Sequence, residues 1–287
     1  MMFDCHMHMI LDGVYYRAAI DAQKERPDDA LIRARLQAYA AAGVTYLRDG
    51  GDAWGVGKRA AELAPEYGIE YRTPIFPIHR KGRYGGFIGC GFEDMKEYRT
   101  LVGKAKTAGA DFIKIMISGL MDFDHYGVIT SQPLDAGEIR EMIRIAHGEG
   151  FAVMAHANGA ETVKAAVEAG VDSIEHGAYL DDEAVKMIAE SGAVWVPTLV
   201  TIGNLIGDGR YPDGVLKPLM ALQLENVAKC AELGGKIALG SDNGAYRVPH
   251  VQGTMDEYKY LQMALGNKTD QILECGNKTV QSLFKRS

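Results

Sequence analysis

Asp4-Cys5-His6-Met7-His8 sets two imidazoles two residues apart in a run that reads as a β-strand. Side chains alternate faces along a strand, so His6 and His8 share a face and can hold one metal ion. An H-x-H pair by itself is equally an ordinary polar pair. Phe112-Ile113-Lys114-Ile115-Met116-Ile117 places a lysine at the centre of an apolar strand. Burial penalises an unpaired ammonium and lowers its pKa toward the neutral amine. A neutral amine can add carbon dioxide to give a carbamate, an anion with two oxygens that can bridge two metals. On that strand alone, a lysine that snorkels or pairs with a buried acid is the plainer reading. His156 ends the run 151–156, His176 follows Asp172-Ser173-Ile174-Glu175, and Asp242 follows Ile237-Ala238-Leu239-Gly240-Ser241. Imidazole and carboxylate are suitable ligands for Zn²⁺ and neighbouring metals.

The elements that must position these groups alternate regularly. Short β-branched apolar runs predict strands near 3–9, 43–48, 70–76, 111–117, 151–156, 171–175, 193–198 and 236–241. Amphipathic patterns predict helices near 29–42, 54–67, 93–108, 135–149, 160–169, 181–191, 214–233 and 254–265, with a last one near 267–284 covering one end. Ala41-Ala42-Gly43, Ala108-Gly109-Ala110 and Ala169-Gly170-Val171 read as short turns from helix to strand. Such βα alternation implies a parallel sheet, open or closed. Eight units favour a closed (β/α)₈ (TIM) barrel over a doubly wound sheet. The 287 residues fit the roughly 250 that such a barrel needs, so the expectation is a single domain over 1–287. All six candidate ligands then fall at or near the carboxyl ends of strands one, four, five, six and eight, where a barrel places its chemistry.

That set resembles the signature of the amidohydrolase superfamily: H-x-H, a strand-four lysine, two further histidines and a final aspartate. Gly43-Val44-Thr45-Tyr46-Leu47-Arg48-Asp49-Gly50 is similar to its second strand. Ala110-Asp111-Phe112-Ile113-Lys114-Ile115 and Val171-Asp172-Ser173-Ile174-Glu175-His176-Gly177 resemble its imidazolonepropionase- and prolidase-related branch. The resemblance runs from His6 to about Leu283. It implies that His6, His8 and Asp242 hold one divalent metal, that His156 and His176 hold a second, and that N-carboxylated Lys114 bridges them. With one metal, Lys114 is a plain lysine. It further implies a metal-bound hydroxide as nucleophile, with Asp242 as general base and then general acid. The substrate would be a small molecule with an amide-type bond: a dipeptide, an N-acyl amino acid or a cyclic amide. The same ligands would serve a lactonase, a phosphoesterase or a decarboxylase, and a non-catalytic metal-binding barrel is a third possibility. Two departures stand out. Many relatives carry a β-sandwich from flanking segments that this chain lacks room for, so its exposed edges are expected to be covered by homo-oligomerisation. The second residue after the strand-five histidine, often aromatic or histidine in that branch, is Asn158.

Further candidates for substrate contact are Asn158 itself, His79 and Arg83 in a glycine-flanked basic segment after strand three, Tyr126 after strand four, and Arg247 and His250 after strand eight. An arginine in such a loop can grip a carboxylate bidentately, although a solvated loop is the plainer reading. His147 ends a helix, where a histidine suits the dipole. Cys5 has the opposite parity to the two histidines. Hydrophobic residues make up 47% and charged residues 24% of the chain, with a formal net charge of −7. That balance disfavours nucleic-acid and anionic-membrane partners. The four cysteines form no C-x-x-C pair and read as thiols of a reducing compartment. No apolar run reaches the roughly 18 residues of a membrane span. The N-terminus lacks a basic region followed by an apolar run, so a cytoplasmic location is expected.

Overall fold

The computed structural model of the chain describes residues 2–285. Its strands are β1 (Met2–Met7), β2 (Val44–Asp49), β3 (Glu70–Arg72), β4 (Ile78–Arg80), β5 (Cys90–Phe92), β6 (Ile113–Met116), β7 (Val153–Ala157), β8 (Ser173–His176), β9 (Val194–Val196) and β10 (Lys236–Ile237). Every ladder between them is parallel. Pairing runs β1-β2-β3 in one stretch and β10-β9-β8-β7-β6-β4-β5 in the other. Backbone bonds close both seams. Asp111 N donates to Thr73 O (2.9 Å), joining β3 to the start of β6. Cys5 N donates to Leu239 O (2.7 Å), Asp242 N to His6 O (2.6 Å) and His8 N to Asn243 O (2.8 Å), joining β1 to the segment after β10. The result is a (β/α)₈ barrel with β1, β2, β3 and β6 to β10 as its staves.

The third stave differs from the unbroken run expected at 70–76. It stops at Arg72 because Pro74 has no N–H to give the ladder and Ile75 takes a left-handed φ of 68°. The chain restarts after Pro77 as β4, which takes over the upper half of β6 (Ile78 opposite Ile115, His79 opposite Met116). β5 lies in a segment expected to be loop and pairs on the far side of β4. Three residues with a central glycine carry too little alternation to announce a strand.

The helices follow the expected order. Asp28, Asp94, Asp135 and Asp181 each accept from a backbone N–H in the first turn of the helix they precede. Each such cap contributes about 1 kcal/mol. Gly43 (φ 79°) and Gly109 (φ 92°) take the left-handed conformation that lets a short turn re-enter the barrel. Two short helices, Tyr16–Asp21 and Val200–Gly203, sit in the loops above the barrel and were not foreseen.

The interior is layered. Phe3, Tyr46, Phe112, Met154, Val194 and Val196 form an apolar floor, and Val280 and Phe284 at the end of the C-terminal helix (Thr269–Leu283) pack into the same cluster from below. Strand periodicity then sets the polar layer above the floor. Lys114 lies two residues beyond Phe112, and His156 two beyond Met154, on the same inward parity. A dry floor therefore underlies the polar ring.

Candidate active site

The six candidate ligands converge at the carboxyl ends of the staves. His6 Nε2 lies 3.6 Å and His8 Nε2 3.5 Å from Asp242 Oδ1. One ligand atom from each of these three residues fits within 4.8 Å of the others. Lys114 Nζ lies 3.2 Å from His6 Nε2. The His6 and His176 rings are 5.1 Å apart, and the His156 and His176 rings 4.6 Å. The strand-one pair, the lysine and the second histidine pair thus form one nest.

Each ligand is aimed by a distinct device. His176 has φ 69° and Asp242 φ 57°. On β8, Glu175 occupies the inward parity, so a continued strand would turn His176 outward; the left-handed residue reverses it. Trp195 Nε1 (3.0 Å) and Gln223 Nε2 (2.7 Å) both donate to His176 O and hold that turn. His176 Nδ1 meets Thr198 Oγ1 at 2.7 Å, and His156 Nε2 meets Gly119 O at 3.0 Å. Each of these rings therefore spends one nitrogen on the protein and keeps the other for a ligand. His8 lies flat on Gly50: a Cβ there would come 2.6 Å from Nε2 and 2.8 Å from Nδ1.

Beneath His6 lies a buried ion pair. Arg48, with no exposed surface, donates through Nη2 to Glu175 Oε1 (2.8 Å), through Nη1 to Ser173 Oγ (2.9 Å) and through Nε to Cys5 O (2.5 Å). Its guanidinium sits 4.3 Å from the centre of the Phe284 ring. Glu175 Oε2 lies 2.9 Å from His6 Nδ1, but bent out of line, so neither atom has a well-aligned partner. Asp4, equally buried, accepts from Ser241 Oγ (2.6 Å), Thr254 Oγ1 (2.6 Å), Asn243 Nδ2 (3.1 Å) and Ser241 N (3.0 Å). It fastens β1 to the segment that carries Asp242.

Burial is the first cause of every pKa shift in the nest. It holds the His6 and His176 imidazoles well below their usual range and pulls His8 and His156 down to about 3, with the Lys114 charge lowering all four further. The same burial lowers the Lys114 ammonium and raises the Asp242 carboxyl. Four neutral imidazoles with free nitrogens beside a carboxylate are groups that could hold a metal, and nitrogen and oxygen donors suit a zinc-like ion.

The nest opens into a cavity of about 400 Å³, a size that takes a drug-sized ligand. Its walls are aromatic and apolar: Tyr15, Tyr16, Tyr84, Phe87, Tyr211 and Tyr246 line it. Tyr84 lies against His156 with the rings tilted by 33° and centroids 4.7 Å apart.

None of the six substrate contacts expected from the sequence lines this cavity. Asn158 is buried, giving its amide to Gly119 O (3.0 Å) and accepting from Ala178 N (3.0 Å), so it ties two loops together. His79 is buried on β4, with Nδ1 on Arg80 O. Arg83 reaches Gln132 Oε1 (3.2 Å). Tyr126 packs edge-on against Tyr179. Arg247 lies 3.4 Å from Asp208. His250 uses both ring nitrogens, on Tyr39 OH (2.9 Å) and Leu11 O (2.8 Å). Of the other residues weighed, His147 pairs with Asp172 (2.8 Å), and Cys5 Sγ faces Asn277 of the C-terminal helix (3.6 Å). Sequence reasoning passed over Arg48, Glu175 and Asp4. The available signal was a pair of opposite charges on two apolar strands, each at an inward position.

The amidohydrolase family profile matches residues 5–280. The chain belongs to the amidohydrolase family. Enzymes of this family are generally metal-dependent. Among curated relatives, ochratoxinase of Aspergillus niger is 25% identical over 276 residues, covering 84% of this chain and 57% of its own. An uncharacterised protein of Mycobacterium tuberculosis is 28% identical over 175 residues, covering 58% of this chain and 46% of its own. The chain thus spans about half the length of the curated relatives it matches. Among solved structures, A. niger ochratoxinase superposes with a TM-score of 0.81 at 22% identity, over 99% of this chain and 71% of that one. A Xaa-Pro dipeptidase gives 0.74 at 23% identity, over 98% and 75%. At these identities the structural likeness speaks for the barrel. Among the described residues, no helix is long and apolar enough to cross a membrane.

Proposed function

We propose that the chain is a metal-dependent hydrolase of amide-type bonds in small molecules, working as one catalytic barrel with Asp242 as its proton shuttle. The observation that carries this reading is the gathering of His6, His8 and Asp242 within 4.8 Å, with Lys114 and the second histidine pair alongside, under an apolar cavity. Xaa-Pro dipeptidase, by its name, acts on a peptide bond, which supports the amide-cleaving reading.

We assign His6, His8 and Asp242 to one divalent metal, zinc by the donor set, and His156 and His176 to a second. A divalent ion held there lowers the pKa of a water toward about 7 and polarises a carbonyl oxygen. Asp242, raised by burial, accepts the proton that the attacking water sheds and returns it to the amine nitrogen as the C–N bond breaks. Neutral imidazoles keep their lone pairs for ligation. The floor beneath excludes water, so a charge forming at the nest is weakly screened. Lys114, lowered by burial and without a carboxylate within ion-pair distance among the described residues, is set to add carbon dioxide. Its neutral nitrogen would bond the carbon of carbon dioxide and release one proton to solvent, giving a carbamate whose single negative charge is shared by two oxygens.

Metal content per chain, on protein purified without added metal, tests this. About two equivalents with a carbamate on Lys114 supports the two-metal site. One equivalent with an unmodified lysine supports the single-metal form. No metal, even after reconstitution, overturns the assignment.

A further inference from the structure

Arg210 stands apart from the other cations around the cavity. It is exposed, it lines the cavity, and among the described residues no carboxylate lies within ion-pair distance of its side chain. The Arg210 guanidinium carbon sits 4.2 Å from the Tyr246 ring centre and 5.2 Å from that of Tyr211, and both tyrosines line the cavity too. The nearby acid, Asp208, accepts from the Arg210 backbone N–H (2.8 Å) through Oδ1 and faces Arg247 through Oδ2 (3.4 Å). Three other loop cations already have side-chain partners. Arg80 pairs with Glu138, Lys81 with Glu93 (3.2 Å) and Glu97 (3.4 Å), and Arg83 bonds Gln132. Asn158 is bonded through both ends of its amide. Apart from the nest, Arg210 and Thr201, the wall is aromatic and aliphatic, and Val14 (69% exposed) and Tyr15 (54%) leave apolar surface bare at the mouth.

We infer that the cavity selects amides with a bulky aromatic or apolar body and a carboxylate remote from the scissile bond, and that Arg210 is the carboxylate's anchor. The inference rests on the proposed hydrolase reading and names its substrate class. A planar guanidinium offers two parallel N–H donors that match a carboxylate. Stacking on two rings fixes that plane in advance, which reduces the ordering cost of binding. The opposite end of the substrate would then meet the nest, with aromatic walls covering the body between. The two tyrosine rings hold the guanidinium at the rim, and among the described residues no carboxylate neutralises it.

The test uses two probes, N-phenethyl-6-carboxy-2-naphthamide and N-phenethyl-2-naphthamide, which differ only by a carboxylate on the naphthalene ring remote from the amide. Both turnover by the metal-loaded protein and Kd for the metal-free protein are measured, in wild type, Arg210→Gln and Arg17→Gln. Arg17 also stacks on a mouth tyrosine, Tyr16 (5.6 Å), but does not line the cavity. The expected result is a preference of about tenfold or more for the carboxylate probe in wild type and Arg17→Gln, in Kd and in KM, collapsing toward one in Arg210→Gln. Absence of binding, or a preference that survives Arg210→Gln, overturns the anchor whatever turnover shows. Arg210-dependent binding with neither probe hydrolysed sustains the anchor and counts against the hydrolase reading instead.

Discussion

Replacing Glu175 by glutamine changes one atom, yet it acts on two buried groups at once. Glu175 Oε1 neutralises Arg48 at 2.8 Å, and Oε2 faces His6 Nδ1 at 2.9 Å. A carboxylate beside Nδ1 keeps the proton there and leaves the Nε2 lone pair pointing at the nest. The glutamine must turn one end of its amide toward each side. With its oxygen toward Arg48, its NH₂ meets His6 and drives the imidazole proton onto Nε2, which removes a metal ligand. With its oxygen toward His6, its NH₂ meets the guanidinium and two donors collide. In both cases Arg48, with no exposed surface, keeps a charge without a counterion. Breaking a buried pair in that way costs about 3–5 kcal/mol, and losing such an outer partner weakens metal binding about 10–100-fold. Metal affinity by competition with a chelator, and urea unfolding of the metal-free protein, read the two effects separately. The double variant Arg48→Met/Glu175→Gln removes the stranded charge and is expected to regain stability without regaining metal affinity. Metal affinity within twofold of wild type in a folded Glu175→Gln would refute the reasoning.

Four further outcomes follow from the same geometry. Asp242→Asn is expected to lower kcat by about 10²–10⁴-fold while the protein keeps at least part of its metal, checked by steady-state kinetics beside metal analysis. Gly50→Ala places a methyl on the His8 ring and is expected to lower metal content without unfolding the chain, read by metal analysis and circular dichroism. Lys114→Arg is expected to abolish the carbamate signal seen by ¹³C NMR after equilibration with labelled bicarbonate. Glu257 has one oxygen on Val200 N (2.7 Å) and the other without a partner, and burial pushes its pKa from the ordinary 4.5 to about 8. The folded state therefore holds a proton that the unfolded chain sheds above about 4.5, so stability falls as pH rises from there to about 8. Glu257→Gln is expected to remove that slope, opening a stability gap of a few kcal/mol over wild type at pH 8, measured by urea unfolding across pH.

The barrel and the convergence of the six candidate ligands were legible because both are written as short-range patterns. Eight apolar runs alternate with amphipathic stretches, and each ligand sits near the end of its run. What stayed hidden depends on conformation that spacing does not record. His176 faces inward only through a left-handed residue, against the parity that Glu175 obeys. The third stave splits at Pro74, which drew β4 and His79 into the sheet. The expected substrate contacts were chosen as polar groups in long loops. In the folded chain Asn158 and His250 meet their hydrogen-bonding needs within the protein, as buried polar groups must. The cavity is walled instead by tyrosines and phenylalanines from loops far apart in sequence, which no local pattern brings together.

Asp4 holds Ser241, Asn243 and Thr254, partners 237 to 250 positions away along the chain. This clasp has a bearing on how the protein is made. Contacts of such long sequence separation cost the most loop-closure entropy and form late. His6 leaves the ribosome early and must wait for Asp242 before the proposed ligand set exists. A nascent chain shortened before the last stave would lack Asp242 and so the proposed His6, His8 and Asp242 triad. Metal that binds only the closed ring would then favour closure by mass action, acting as a checkpoint on the finished barrel.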